Sequence, residues 1–588
     1  MKKKSIVTIA AASALAASTL LAPTVSAIPA EHGESGLQAQ AQAPAPQAQS
    51  FSAEAINPDL AADLQAKGIQ VKQPEPKQKL SANPNKHPDG GPVTPSHIAA
   101  SQNNLALLVK FPQENGHSAV PGSPDERFPA KLFGDLLYGT SYNPYTLPQF
   151  AKQAVAPNGV AAPTDRTLHN YYKEVSYGKV NVTTQDSPEN LGWIVAPHPY
   201  SYYFGNTGSL PASETDYNAN GFGDYPHNVQ GLVEDVVKAA DPYVDFSKYA
   251  DANGEIPGIF IIHEGTGGEW SADPQQFWSH KWELPENLTV DSVHVSKYSM
   301  EPEYGGNLAG WDSAAQSYNP ALKESALPPA VGVYAHEFGH ILGLPDLYDY
   351  GYDSVGVGAW SVMAGGSWAR YPNYVQYNGN TPVHLDAWNK FFAGFVQPTE
   401  VSLDQVTHAT LPAAEDNATV YKLNVPKTDG SEYFLFENRQ LKGYDLGLGR
   451  YGGVTAGNFN DKMHGMLMYH VDDNVLNRNF WRPAEGQDFN ADRMAKNPVD
   501  AWTGTNEWHY GVGVVQADGL FELEQYISSG NAGDAFPGSK NVTSFTVAKQ
   551  GSNINYSGSY YRPEFSFGAR NITEQNGTVN VEFYPTNK

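Results

Sequence analysis

Two histidines and a glutamate within one short stretch carry the chemistry most legible in this sequence. His336 and His340 stand four residues apart in Ala330-Val331-Gly332-Val333-Tyr334-Ala335-His336-Glu337-Phe338-Gly339-His340-Ile341-Leu342. The apolar pattern of the stretch predicts an α-helix, with Pro328 and Pro329 suited to its start. Residues i and i+4 share one helix face. Two imidazoles so placed can converge on one Zn2+ ion at ~2.0–2.1 Å each. Glu337, beside the first ligand, is within reach of a water on that ion. The expected chemistry is therefore metal-assisted hydrolysis with Glu337 as general base. The competing interpretation is an ordinary amphipathic helix with two structural histidines. The chain has no cysteine, which excludes disulfides, thiolate ligands and a cysteine nucleophile. Any metal must be held by His, Asp or Glu.

The residues after this helix extend the pattern. Gly343 stands where a left-handed cap favours glycine, and Pro345 prevents the helix from resuming. The chain turns there and can return Asp346 towards the metal. The stretch His336-Glu337-x-x-His340-x-x-Gly343-x-x-Asp346 is similar to the long metzincin pattern, with Asp in place of the usual third His. Asp346 is thus the expected third ligand; its alternative is a turn aspartate serving Leu347-Tyr348. Downstream, Met363 lies in Gly358-Ala359-Trp360-Ser361-Val362-Met363-Ala364-Gly365-Gly366. A methionine in such a turn suits a Met-turn beneath the metal, the alternative being core filling. Should Asp346 not serve, Asp386 and Glu437 are the next carboxylates to consider.

These groups need a rigid frame. Leu105 to Phe111 and Ile259 to Ile262 are short apolar runs suited to buried strands. Asn228 to Ala240 has helical spacing. Alternating strand and helix signals predict a catalytic domain of mixed α+β class over residues 101–397. From 398 to 588 the texture is that of strands separated by Gly- and Asn-rich turns, among them 432–436, 466–469, 544–547 and 578–583. A β-rich C-terminal domain is expected there.

The N-terminal hundred residues differ. Lys2-Lys3-Lys4, an apolar run from Ile6 to about Leu21, and Val25-Ser26-Ala27 predict a signal peptide over 1–27. Residues 28–100 are largely low-complexity, rich in Ala, Gln and Pro, and predict a pro-segment; a retained spacer is the alternative. Within it, Asp89, or failing that His87, is the candidate group to reach the metal and hold the precursor inactive; a linker that blocks the cleft sterically or only assists folding is the alternative. Folded sequence is expected to begin at Leu105. The formal net charge of -25 argues against nucleic-acid or anionic-membrane partners. No later segment has ~18 uninterrupted apolar residues. A secreted, extracellular and monomeric protein is expected.

Taken together, the sequence resembles the immune inhibitor A family of secreted bacterial zinc metallopeptidases. The matching stretches include HEFGHILGLPDLYD (336–349), GVGAWSVMAGGSW (356–368), YYKEVSYGKV (171–180), IIHEGTGG (261–268), EYFLFENRQLKGYD (432–445) and GDAFPG (533–538). The resemblance implies a zincin catalytic domain, a pro-segment, broad protein or peptide substrates and structural calcium (Ca2+). Asp349, Asp353, Asp472, Asp473 and Asp534 are the acidic groups considered for Ca2+, each with a solvated loop as its alternative. His263, His280 and His384 are candidate cleft residues, with a structural role as the bland alternative. A secreted zinc endopeptidase is the expected function. A catalytically silent zincin-fold binding protein and a zinc hydrolase of a non-protein substrate use the same residues.

Overall fold

The structure is a computed structural model that describes residues 52–69, 98, 100–113, 120, 123, 126–155, 159–204, 219–349, 354–371, 378–451, 459–473, 476, 510–546 and 566–586. The expected signal peptide, His87, Asp89 and Asp353 lie outside the described residues. The elements that frame the site are β1 (Ser52–Ala53), α1 (Pro58–Ala66), β2 (Leu105–Lys110), α2 (Leu168–Val175), β3 (Trp193–Val195), α3 (Val229–Ala240), β4 (Ile259–Thr266), β5 (His280–Val290), β6 (Val293–Tyr304), α4 (Val331–Ile341) and α5 (Ala387–Phe392). Beyond them run β7 (Thr399–Glu400), β8 (Thr407–Leu411), β9 (Tyr421–Asn424), β10 (Glu432–Arg439), β11 (Gly465–Asp472), β12 (Val512–Val514), β13 (Phe545–Thr546), β14 (Phe567–Gln575) and β15 (Thr578–Pro585).

The first sheet has the order β1-β5-β6-β4-β2-β3. Its centre is parallel, whereas β5 runs antiparallel to β6. Strand period decides which side each residue faces. On β2, Leu105, Leu107 and Val109 enter the core that contains α3, while Ala106 and Leu108 enter the core that contains α4. Ile259 and Ile261 on β4 follow the first course, and Phe260 and Ile262 the second. The sheet is thus apolar on both faces, as continuous Val/Ile/Leu runs require.

Among the described residues, strands from residue 399 onward pair only with one another. One sheet has the order β7-β9-β10-β11-β12 and the other β8-β15-β14-β13. Phe434, Phe436, Met466 and Met468 from the first meet Phe567, Val579, Val581 and Phe583 from the second. The chain is therefore a mixed helix-and-sheet protein with a further sheet-rich region.

Ordered structure begins earlier than Leu105. Residues 52–69 are packed, with Ala53, Ile56, Ala61 and Leu64 in the α3-side core. Asn57 accepts a hydrogen bond from Asp59 N–H and Pro58 opens α1. These are local helix-start signals inside a composition that otherwise reads as low-complexity.

Candidate active site

Helix α4 is apolar around its circumference and buried along its length, as a helix enclosed by packed layers must be. Pro328 and Pro329 precede the helix rather than open it; Ala330 is its cap. At the other end Gly343 adopts a φ of +91°. Its N–H donates to His340 O at 3.0 Å, and Leu344 N–H donates to Gly339 O at 2.9 Å. The helix closes on these bonds, and the reversal brings Asp346 back to the histidines.

The geometry of the three side chains is compact. Asp346 Oδ1 lies 3.0 Å from His336 Nε2 and 3.2 Å from His340 Nε2, and the two Nε2 atoms are 3.0 Å apart. A tetrahedral ion with bonds of ~2.0–2.1 Å separates its ligand atoms by roughly 3.3 Å, so the triangle fits one small cation. The outer partners agree. His336 Nδ1 donates to Val362 O at 2.8 Å and His340 Nδ1 to Leu344 O at 2.7 Å. A carbonyl can only accept, so each Nδ1 carries the proton and each Nε2 lone pair faces the shared centre. Glu337 is fully buried beside His336, and neither carboxylate oxygen makes a hydrogen bond.

Met363 is buried against this centre. A Cβ placed on Gly339 would fall 2.5 Å from Met363 Sδ, so the sulfur lies directly on the helix turn between the two histidines. Met363 N–H donates to Ser361 Oγ at 3.2 Å, and Ser361 Oγ donates to Asp386 Oδ2 at 2.6 Å. Asp386 in turn caps α5 by accepting from Asn389 N–H. Glu437 is committed to Lys390 at 3.0 Å and Arg439 at 3.3 Å. Neither carboxylate joins the histidine group.

One member of the centre escaped sequence reasoning. Glu54, from the segment expected to be low-complexity, is buried with Oε2 at 4.0 Å from His336 Nδ1. Ser367 Oγ donates to its Oε1 at 2.9 Å. Glu54, His336 and Glu337 offer ligand atoms within 4.8 Å of one another. The available signal was local: Ala53-Glu54-Ala55-Ile56 places a lone charge among apolar residues just before the Asn57-Pro58 helix start.

Burial pushes the Glu54 carboxyl up to about 8, against the opposing pull of His336. Glu337 is raised well above its ordinary value, first by burial and then by the carboxylates of Glu54, Glu301, Asp346 and Glu269. Burial would lower His336, but Glu54 and Asp346 outweigh it and raise the imidazole to about 9. For His340 burial wins and the imidazole is lowered. Asp346 is held below the usual carboxylate range because the two imidazoles overcome its burial. Buried acidic groups thus crowd the two imidazoles, and a divalent cation bound there would favour their charged forms.

The other candidates take structural places. His263 Nδ1 donates to Glu264 O, and burial pushes its ring down to about 4. His280 Nδ1 donates to Trp278 O, and its ring is lowered to about 3 by burial. His384 Nε2 meets Glu174 Oε1 at 2.8 Å. Asp349 accepts from Ser354 N–H, Asp473 from Tyr433 OH, and Asp534 from Trp360 Nε1; Asp472 ends β11. Among the described residues, close groups of three ligating side chains form only around His336.

Residues 99–395 match the family model described as immune inhibitor A peptidase M6, catalytic domain. Immune inhibitor A of Bacillus thuringiensis subsp. alesti is 28% identical over an alignment of 350 residues that covers 55% of this chain and 44% of the relative. Pre-pro-metalloprotease PrtV of Vibrio cholerae serotype O1 is 27% identical over 314 residues, covering 49% of this chain and 29% of the relative. The chain spans less than half the length of the curated relatives it matches. The family match encloses α4, the Asp346 reversal and the Met363 turn, and the chain belongs to the immune inhibitor A peptidase M6 family.

Proposed function

We propose that this protein is a secreted zinc-dependent endopeptidase that hydrolyses peptide bonds in proteins, on a zincin, metzincin-like catalytic half. The observation that carries the proposal is the convergence of His336 Nε2, His340 Nε2 and Asp346 Oδ1 beside the hydrogen-bond-free carboxylate of Glu337. His336, His340 and Asp346 would hold the metal, and Met363 would support it from below. Bound there, Zn2+ would lower the pKa of a water to about 7 and polarise the scissile carbonyl.

Glu337 does the proton work. Its burial and its acidic neighbours raise its proton affinity; a cation held by the neighbouring histidines would favour the carboxylate, which can accept a proton and later deliver it to the leaving amine. The name of the Vibrio relative, a pre-pro-metalloprotease, supports proteolysis and staged maturation. Export rests on the signal expected over 1–27; no helix among the described residues is long and apolar enough to cross a membrane. Structural Ca2+ follows only from the family resemblance, and we assign it no residues.

A casein or gelatin zymogram with a chelator control tests the activity. Glu337→Gln is expected to bind about one zinc per chain and to hydrolyse nothing measurable. Near-native proteolysis by that variant would sink the mechanism. Zinc binding without proteolysis by the mature parent would favour a silent zincin-fold binding protein or a hydrolase of a non-protein substrate.

A further inference from the structure

Strand β1 adds to the outer edge of β5, antiparallel, with Ser52 opposite Lys281 and Ala53 opposite His280. The chain beyond it stays held. Glu54 N–H donates to Ser279 O and Asn57 N–H to Glu269 O, each at 2.9 Å. Trp278 Nε1 donates to Glu54 O at 2.7 Å, Trp368 Nε1 to Ala55 O at 3.0 Å, and Tyr348 OH to Ala53 O. Two tryptophans and a tyrosine thus grip three successive carbonyls, and edge pairing plus backbone capture is how a groove holds an extended peptide.

The side chains of this strand part company. Ala53 and Ile56 enter the α3-side core, and Ala55 packs into the cluster of Tyr348 and Trp360. Glu54 alone is presented to His336 and Glu337, with Oε2 at 4.0 Å from His336 Nδ1 and both residues within 4.8 Å. Docking of the strand needs no charge at position 54: its backbone bonds and apolar neighbours would hold an alanine as well. A carboxylate buried beside Glu337 is repulsive unless a cation is present, and then the sign reverses.

We propose that residues 52–57 form an internal inhibitory segment that lies along the edge of β5, where an extended substrate would pair, with its Glu54 carboxylate buried against His336 and Glu337. The proposal rests on the peptidase reading of the same site. Metal binding and strand docking then reinforce one another, and by linkage each tightens the other by the same factor. Catalysis requires the strand to leave the edge of β5.

The full chain carrying Glu337→Gln, which cannot cleave itself, supplies a readout that does not depend on turnover. Amide hydrogen exchange at Glu54 and Asn57 is followed with saturating Zn2+ and after chelation. Zinc is expected to slow exchange at least about tenfold, the scale of an outer metal partner, and adding Glu54→Gln should abolish the zinc effect. Equal protection with and without zinc, or an undiminished effect in the Glu54→Gln chain, would overturn the proposal. In a second arm, zinc-loaded and uncleaved Glu54→Ala is compared with the parent on an internally quenched peptide. Initial hydrolysis at least about tenfold above the parent is expected; equal rates overturn it. If neither chain hydrolyses any peptide, even after limited proteolysis has removed the strand, the peptidase reading fails and the exchange result alone decides on Glu54.

Discussion

Gly339→Ala probes whether the Met363 turn sets the histidines. The added Cβ would fall 2.5 Å from Met363 Sδ, 3.1 Å from its Cε and 3.3 Å from the Tyr172 hydroxyl oxygen. Carbon contacts are relaxed at ~3.5–4.0 Å, so the sulfur must retreat by roughly 1 Å. Overpacking of this kind costs about 1–3 kcal/mol. Replacing a helical glycine with alanine contributes about 1 kcal/mol in the opposite direction. The net expectation is a loss of up to about 2 kcal/mol. The larger effect falls on the metal, because Val362 O, next to Met363, orients His336 through its Nδ1 at 2.8 Å. Disturbing such a partner lowers metal affinity by about 10–100-fold. Competition for Zn2+ against a chromogenic chelator measures this, and urea unfolding measures stability. Met363→Ala alone should cost about 2–5 kcal/mol through the cavity it leaves. In the double variant the new Cβ enters that cavity, so the costs should fall short of their sum by about 0.5–3 kcal/mol. Unchanged zinc affinity in Gly339→Ala, or strictly additive unfolding energies, would refute the role given to the turn.

Asp346→Ala should weaken zinc binding more than about 100-fold, beyond the range of an outer partner, in the same competition assay. Asp534→Asn carries a pH signature. Burial raises the Asp534 carboxyl from 3.8 to about 7, with Asp518 and Glu524 adding to it against the bonds from Asn531 and Trp360. A carboxyl raised on folding binds its proton more tightly in the folded state. Its contribution is therefore full below its unfolded value and is lost as pH climbs to about 7. The Asn variant keeps an oxygen for Trp360 and Asn531, so its urea midpoint should lie nearer the parent's at pH 4 and exceed it most at pH 8. Lys390→Ala leaves the buried Glu437 without its 3.0 Å partner and should cost about 3–5 kcal/mol, read as a lowered thermal transition. Replacing both Lys390 and Glu437 with methionine should restore most of it.

Helix α4 was legible because its information is local: an apolar run, a histidine pair at i and i+4, and a Gly343–Pro345 stop. Expected strands at 259–262, 432–436 and 578–583 proved to be the opening parts of Ile259–Thr266, Glu432–Arg439 and Thr578–Pro585. Strand β5 was not foreseen. Its sequence HKWELPENLTV carries charges and a proline with no clean alternation, and it is held by pairing to β6, which lies close in sequence but had no signal of its own. The 52–57 segment was hidden for a stronger reason. Its order comes from His280, Ser279, Trp278 and Trp368, partners more than two hundred residues away, and no local pattern encodes such pairing. Glu54 therefore read as one more polar residue in a pro-segment.

Trp360 gives the site an unusual timetable. Its carbonyl accepts from Arg439 Nη1 at 2.8 Å, its indole donates to Asp534 at 2.9 Å, and the neighbouring Ala359 N–H donates to Ser529 O at 2.6 Å. The floor under the histidines is encoded before residue 398, but its fastenings are encoded well after it. A ribosome delivers the chain from the N-terminus, and early regions begin to fold as they emerge. The ligands and the Met363 turn leave the ribosome long before Arg439, Ser529 and Asp534 exist to brace them. A chain still being made is therefore expected to hold Glu54 and the histidines on an unbraced floor, and to complete the metal site only after Asp534 has emerged.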